Sequence, residues 1–110
     1  MKGESLMMDA NLLQMIKNTI HNVNPDAKVI LYGSQARGDA REDSDIDILI
    51  LIDKDEVSNQ DRKNLTYPLY DINIDKDIFI SPFVYTNQEW ESMRKKTPFY
   101  HEVTREGIVL

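Results

Sequence analysis

Residues 33 to 47, which read GSQARGDAREDSDID, combine the residue types that phosphate and metal chemistry require. Gly33 lacks a Cβ and permits close approach of the backbone to a phosphate, while Ser34 adds a hydroxyl and an amide donor. Asp45 and Asp47 are two residues apart, so in a strand their carboxylates project from one face, with Cα atoms about 6.5 to 7 Å apart. The spacing predicts a phosphate-binding turn followed by a pair of convergent acids.

The paired acids indicate divalent metal chemistry. Mg²⁺ takes oxygen ligands, and two such ions about 3.5 to 4 Å apart can activate an attacking hydroxyl and stabilise the leaving oxygen of a phosphoryl transfer. An isolated Asp-x-Asp pair is more often solvated than metal-bound, but the Gly-Ser turn upstream favours the metal site. Arg37 and Arg41 are candidates to neutralise phosphate oxygens, with simple solvation of both side chains as the alternative.

The strands that would hold these residues follow from the apolar pattern. A short apolar run predicts a buried strand from Lys28 to Tyr32, which Gly33 ends. The run DIDILILI, from Asp45 to Ile52, predicts a central strand with one side buried in the core. The face opposite the acids is aliphatic and consists of Ile46, Ile48 and Ile50.

The remaining segments predict helices and one further strand. The predicted helices are one from Asp9 to Asn24, one around Leu65 to Ile72 that Pro68 should kink or shorten, one opened by Thr86 and Glu89, and one from Thr97-Pro98 to Gly107. Asp77 to Val84 predicts a third strand. Trp90, Phe99 and Tyr100 fit packing better than base stacking. Ile108 to Leu110 fits either an edge strand or a contact with another subunit.

The order of these elements predicts an α+β fold, with a small mixed β-sheet and helices packed against it, in one domain of residues 1–110. The chain has 13 basic and 19 acidic residues and a net charge of −6, which argues against binding of long nucleic acid. It contains no cysteine, and no apolar run approaches the roughly 18 residues of a membrane span. We expect a cytoplasmic protein without a membrane partner.

The pattern G-S-x-A-x-G followed by S-D-x-D, with an apolar strand on each side, resembles the DNA polymerase β-type nucleotidyltransferase superfamily. The small size resembles its minimal nucleotidyltransferase (MNT) branch. The resemblance implies the polymerase β-like fold, contacts of Gly33 and Ser34 with a triphosphate, and metal binding by Asp45 and Asp47. Arg37 is the candidate for a further contact with the triphosphate by its charge and its place in the loop. It also implies two Mg²⁺ ions, or Mn²⁺ in their place, and a nucleoside triphosphate donor, with ATP the first candidate.

Members of this superfamily usually carry a third carboxylate on a later strand, where it binds metal or acts as general base toward the acceptor hydroxyl. Asp77, at the start of the predicted third strand, is the candidate for this catalytic and metal-binding role. Asp75 and Asp71 are alternatives, because a strand boundary read from sequence is uncertain by about two to four residues. Many family members also have a basic residue where this chain has Gln35, a departure for which Arg37 could compensate.

The function that the resemblance implies is metal-dependent transfer of a nucleoside monophosphate, AMP from ATP, to a hydroxyl group on a partner protein. Small MNT proteins are often encoded beside a HEPN-domain ribonuclease, which the MNT antitoxin neutralises, in some cases by adding AMP to it. Two alternatives stay open. One is a non-catalytic nucleotide-binding or antitoxin interaction module, and the other is nucleotidyl transfer to a small molecule such as an aminoglycoside.

Overall fold

Five helices and four strands are formed by residues 10–39 and 44–110, the residues that the structure, a computed structural model, describes. The helices are α1 (Ala10–Val23), α2 (Ser34–Arg37), α3 (Asn59–Lys76), α4 (Asn87–Ser92) and α5 (Pro98–Glu106). The strands are β1 (Lys28–Tyr32), β2 (Ile46–Ile52), β3 (Ile80–Thr86) and β4 (Ile108–Val109). None of these helices is long and apolar enough to span a membrane. The predicted helix start at Asp9 and the candidate Arg41 lie outside the described residues.

The strands form one mixed sheet in the order β3-β2-β1-β4. β1 is antiparallel to both β2 and β4, whereas β2 and β3 run parallel. β2 is therefore an inner strand, as its apolar sequence predicts, and Ile108–Val109 forms an edge strand. The mixed sheet and its packed helices confirm the predicted α+β fold class.

One face of the sheet is buried beneath α1 and α3. Ile48, Ile50 and Ile52 of β2 have no exposed surface, and they share one apolar cluster with residues of both helices. The fully or almost fully buried helix residues of this cluster include Ile16, Ile20, Leu65 and Leu69. Because alternate residues of a strand share a face, this packing directs Asp47 to the other side of the sheet.

The face that carries Asp47 is covered by α4 and α5 over only part of its length. Leu49 and Leu51, which follow Asp47 on this face, belong to a second apolar cluster. The other buried members of this cluster are Ile30, Tyr32, Trp90, Tyr100 and Val103. The burial of Trp90 and Tyr100 confirms that these aromatic side chains pack in the core, whereas Asp47 is half-buried, at the less covered end of the face.

The third strand begins later than the sequence predicts. Helix α3 continues across Pro68 to Lys76, and Asp77 caps its end in the left-handed conformation, with φ 54°. The amide of Asp77 donates to the carbonyl of Asn73, whose side-chain oxygen accepts from the Ile80 amide at 3.0 Å. The predicted strand start at Asp77 is therefore wrong, because aspartate tolerates the left-handed turn that separates helix from strand.

The end of α5 lies directly on β1. Thr97 caps the start of this helix through its hydroxyl, and Gly107 ends it, as the sequence predicts. A Cβ atom on Gly107 would lie 2.5 Å from the carbonyl oxygen of Val103 and 2.7 Å from Ile30 Cγ2. Only glycine permits this approach, which brings Glu106, the last residue of α5, next to the turn that follows β1.

Candidate functional site

The Gly-Ser turn joins β1 to the short helix α2. Gly33 has φ 78° and ψ −157°, a backbone conformation that residues with a side chain rarely adopt. Its carbonyl accepts hydrogen bonds from the amides of Ala36 and Arg37, at 3.1 and 3.0 Å. The turn therefore depends on glycine for its shape, and it places Ser34 at the first position of the helix.

The carboxylate of Asp47 lies directly against Gly33. A Cβ atom on Gly33 would be 2.3 Å from Asp47 Oδ2, closer than a van der Waals contact allows. Tyr32, the residue before the turn, pairs with Asp47 across the antiparallel strands β1 and β2. The structure thus brings together the predicted phosphate turn and one of the two predicted metal ligands, and the missing side chain at Gly33 makes room for the acid.

Negative charge accumulates around Asp47. Asp45 is exposed directly before β2, whereas Asp47 is half-buried. Burial raises the pKa of the Asp47 carboxyl, and the charges of Asp45 and Glu106 raise it further, while Arg37 acts in the opposite direction. The positive charge of Arg37 therefore compensates the negative charge of ionised Asp47 only in part. Two carboxylates with excess negative charge at the less covered end of a sheet face fit a hard divalent cation such as Mg²⁺.

Glu106 reaches the turn from the end of α5, and its side chain is only 11% exposed. Its Oε2 atom accepts a hydrogen bond from the Gly33 amide at 2.8 Å. Arg37 Nη1 donates to Oε1 and Oε2 of the same carboxylate at 3.2 and 3.1 Å, and Arg37 Nε donates to Asp39 at 3.2 Å. The bonds to Asp39 and Glu106 raise the pKa of Arg37. Sequence reasoning missed Glu106, because 73 residues separate it from Gly33 and no local pattern connects the two.

The three candidates for a third carboxylate lie on or directly after α3. Asp77 is the exposed cap of this helix, and Asp71 and Asp75 are exposed on the helix itself. Within residues 10–39 and 44–110, no group of three or more His, Asp or Glu side chains is placed to hold a metal ion. The structure therefore does not unite Asp77 with Asp45 and Asp47 in one metal-binding group, because Asp77 caps α3 and the strand begins three residues later, at Ile80.

Ser81 is the residue of β3 that lies beside Asp47. The parallel register pairs Asp47 with Ser81, and neighbouring strands are about 4.8 Å apart. Ile80 and Val84 are buried in the cluster beneath the sheet, so Ser81 belongs to the face of the acids. No polar–apolar alternation marks Ser81 in the sequence, because Phe79 and Phe83 flank it at the same strand spacing, so Ser81 is identified only once the strand boundary and register are known.

Two comparisons relate the chain to known proteins. A family model described as "Nucleotidyltransferase domain" matches residues 13–101, a range that includes the turn and the acid pair and ends before Glu106. A protein of Methanocaldococcus jannaschii named "Putative protein adenylyltransferase MJ0141" is 32% identical over 99 residues. The alignment covers 88% of this chain and 93% of that protein.

Asp47→Asn should stabilise the metal-free fold at neutral pH. A carboxyl whose folded pKa is raised contributes stability that is complete below its unfolded pKa and is lost as the pH rises through the folded value. The asparagine side chain carries no charge, so the variant does not lose this stability as the pH rises. Its Tm should therefore be higher than that of wild type at pH 7 in the presence of EDTA. The difference in Tm should shrink as the pH falls towards 3.8, the ordinary pKa of an aspartate carboxyl.

Thermal unfolding followed by circular dichroism measures this difference. Asp53→Asn, at an exposed acid directly after β2, is the matched control and should leave the Tm unchanged. An Asp47→Asn variant that melts at or below the wild-type temperature at pH 7 would show that the Asp47 carboxylate is well compensated in the fold.

Proposed function

Since the chain belongs to the nucleotidyltransferase domain family and is a nucleotidyltransferase, we propose that it transfers AMP from ATP to a hydroxyl group on a partner protein. The observation that carries the proposal is the contact between the Gly33 turn and the Asp47 carboxylate. This contact places a backbone turn that suits a phosphate next to a carboxylate that suits a cation. We expect the reaction in the cytoplasm, where ATP is available.

Asp45 and Asp47 are the proposed ligands for Mg²⁺, with Mn²⁺ as a substitute. Bound in pairs, such ions would lower the barrier by neutralising charge on the attacking and leaving oxygens. The chemistry of the donors supports this assignment, since both are carboxylates and the charge around Asp47 is incompletely compensated. The proposed metal site does not include Asp77, because the structure does not group it with the other two acids.

The proposed transfer is a substitution at the α-phosphorus of ATP. The acceptor oxygen forms a bond to this phosphorus, the bond to the bridging oxygen of the β-phosphate breaks, and pyrophosphate leaves. The hydroxyl proton is released from the acceptor oxygen to solvent or to a base of the partner. Ser34 and Arg37 would donate hydrogen bonds to the β- and γ-phosphates, where the leaving charge develops.

A protein acceptor is supported by the name of the Methanocaldococcus jannaschii relative, which describes a protein adenylyltransferase. The resemblance to MNT proteins further favours a HEPN-type ribonuclease as the acceptor and an antitoxin role for this chain. A second candidate role is neutralisation of such a partner by binding, with slow or no turnover. The observation in its favour is Ser81, which occupies the position beside Asp47 where a third acid would complete the group.

Wild-type protein with Mg²⁺ and α-³²P-labelled ATP should transfer label to a protein in lysate from its own source. The Asp45→Asn, Asp47→Asn double variant should lose at least about a hundredfold of this activity, because the cation and its charge stabilisation are lost. The measurement is autoradiography of a denaturing gel together with chromatography of the small-molecule fraction. Asp53→Asn, with its exposed acid outside the site, is the matched control.

Label in a small molecule instead of a protein would contradict the protein acceptor while preserving the transferase chemistry. An absence of transfer by wild type, with ATP still bound, would favour the binding role. Equal transfer by the double variant and wild type would exclude the acid pair as the reaction centre.

Ser81→Asp should raise both the affinity for Mg²⁺ and the transfer rate, by about tenfold or more, because a third carboxylate would lie beside Asp47. Isothermal titration with MgCl₂ and the labelled-ATP assay measure the two effects. Ser81→Asn, which has the same shape without the charge, is the control and should show neither gain. Equal Mg²⁺ affinity in the two variants would show that β3 does not form the third side of the metal site.

A further inference from the structure

The geometry points to Glu106 as a positioning residue for the triphosphate, an inference that rests on the proposed function. Its carboxylate fixes the Gly33-Ser34 turn and the Arg37 guanidinium in the arrangement that receives the β- and γ-phosphates. The C-terminal end of α5 thereby belongs to the nucleotide site, although no sequence motif connects it to the Gly-Ser turn.

The first support is the set of three hydrogen bonds that the Glu106 carboxylate accepts within the site. The carboxylate accepts a hydrogen bond from the Gly33 amide at 2.8 Å. It also accepts two from Arg37 Nη1, at 3.2 Å on Oε1 and 3.1 Å on Oε2. Charge-assisted hydrogen bonds of this kind are about twice as strong as neutral ones. A single side chain therefore links the backbone of the turn to the Arg37 guanidinium.

The second support is the rigidity of Glu106 itself. Its side chain is 11% exposed, whereas that of Arg37 is 46% exposed, so the buried carboxylate orients the freer guanidinium. Gly107 permits α5 to approach Ile30 so closely that a Cβ atom there would be 2.7 Å from Ile30 Cγ2. The carboxylate is thus anchored to the sheet through the helix end, and β1 leads directly into the turn that it holds.

The third support is the set of donors that remains available for phosphate. Arginine has five N–H groups, and the bonds of Arg37 to Asp39 and Glu106 use only Nε and Nη1. Within residues 10–39 and 44–110, these bonds leave the Nη2 group and the Ser34 hydroxyl as donors that an anion can use without breaking the contacts of Glu106. Fixing a long side chain before the ligand arrives also reduces the entropy lost on binding.

The competing reading is that Glu106 acts as an internal anion that the triphosphate must displace. The two readings predict opposite changes in affinity. Without the carboxylate, ATP should bind more weakly if Glu106 positions the turn and Arg37, and more tightly if Glu106 competes with the phosphates. Burial of the carboxylate against the helix end and its double contact with the site favour positioning.

The test compares Glu106→Ala, Glu106→Gln and wild type by isothermal titration with ATP and, separately, with AMP, in the presence of Mg²⁺. Glu106→Ala should weaken ATP binding at least about tenfold, because the turn and Arg37 are both released. Glu106→Gln should lose about threefold, since its amide oxygen still accepts from the Gly33 amide. AMP, which lacks the β- and γ-phosphates, should bind all three proteins within about twofold.

Two further variants separate positioning from general destabilisation. Glu102→Gln, at an exposed acid one turn earlier on α5, should bind ATP like wild type. In an Arg37→Ala background, Glu106→Ala should lose less affinity than in wild type, because part of its effect passes through Arg37. Equal losses for ATP and AMP would assign Glu106 a purely structural role and overturn the inference.

The outcomes also separate this inference from the proposed function. Wild-type protein that binds no ATP would refute the proposed nucleotide site and, with it, the role of Glu106. Wild-type protein that binds ATP, together with Glu106 variants that bind it equally well or more tightly, would refute only the positioning role.

Discussion

The site depends on one contact, that between the Asp47 carboxylate and the backbone of Gly33. A side chain at Gly33 would place its Cβ 2.3 Å from Asp47 Oδ2, and the positive φ of 78° also favours glycine. The pairing of Tyr32 with Asp47 fixes the two elements at the same level of the sheet. The fold is arranged to maintain this proximity: isoleucines on the reverse face of β2 anchor the strand, and the acid itself stays partly open to solvent.

This arrangement disfavours the charged form of Asp47 in the metal-free protein. Burial and the charges of Asp45 and Glu106 raise its carboxyl pKa, and Arg37, already bonded to Glu106, opposes them only in part. Functional sites commonly hold groups in environments that reduce stability and prepare them for a ligand. The excess negative charge is what a divalent cation would relieve, so the electrostatics and the family membership agree on nucleotidyl transfer.

The sequence predicts those parts of the site that lie within one local segment. The alternation around Ile48 places the acids on one face, and the glycine marks the turn, so both features follow from strand and backbone geometry. Asp77 could not be placed correctly, because the length of α3 depends on its packing and on the left-handed cap at its end. Ser81 and Glu106 depend on strand register and on the docking of α5, which tertiary contacts decide.

The most direct test of the central claim is to follow amide resonances of the protein by ¹H–¹⁵N NMR during titration with ATP and Mg²⁺. If the turn and the acid pair form the nucleotide site, the largest shifts should fall on Gly33, Ser34, Asp47 and Glu106. They should disappear in the Asp45→Asn, Asp47→Asn variant. Shifts concentrated instead around Trp90 and His21, which line a separate cavity of about 790 Å³, would contradict the account.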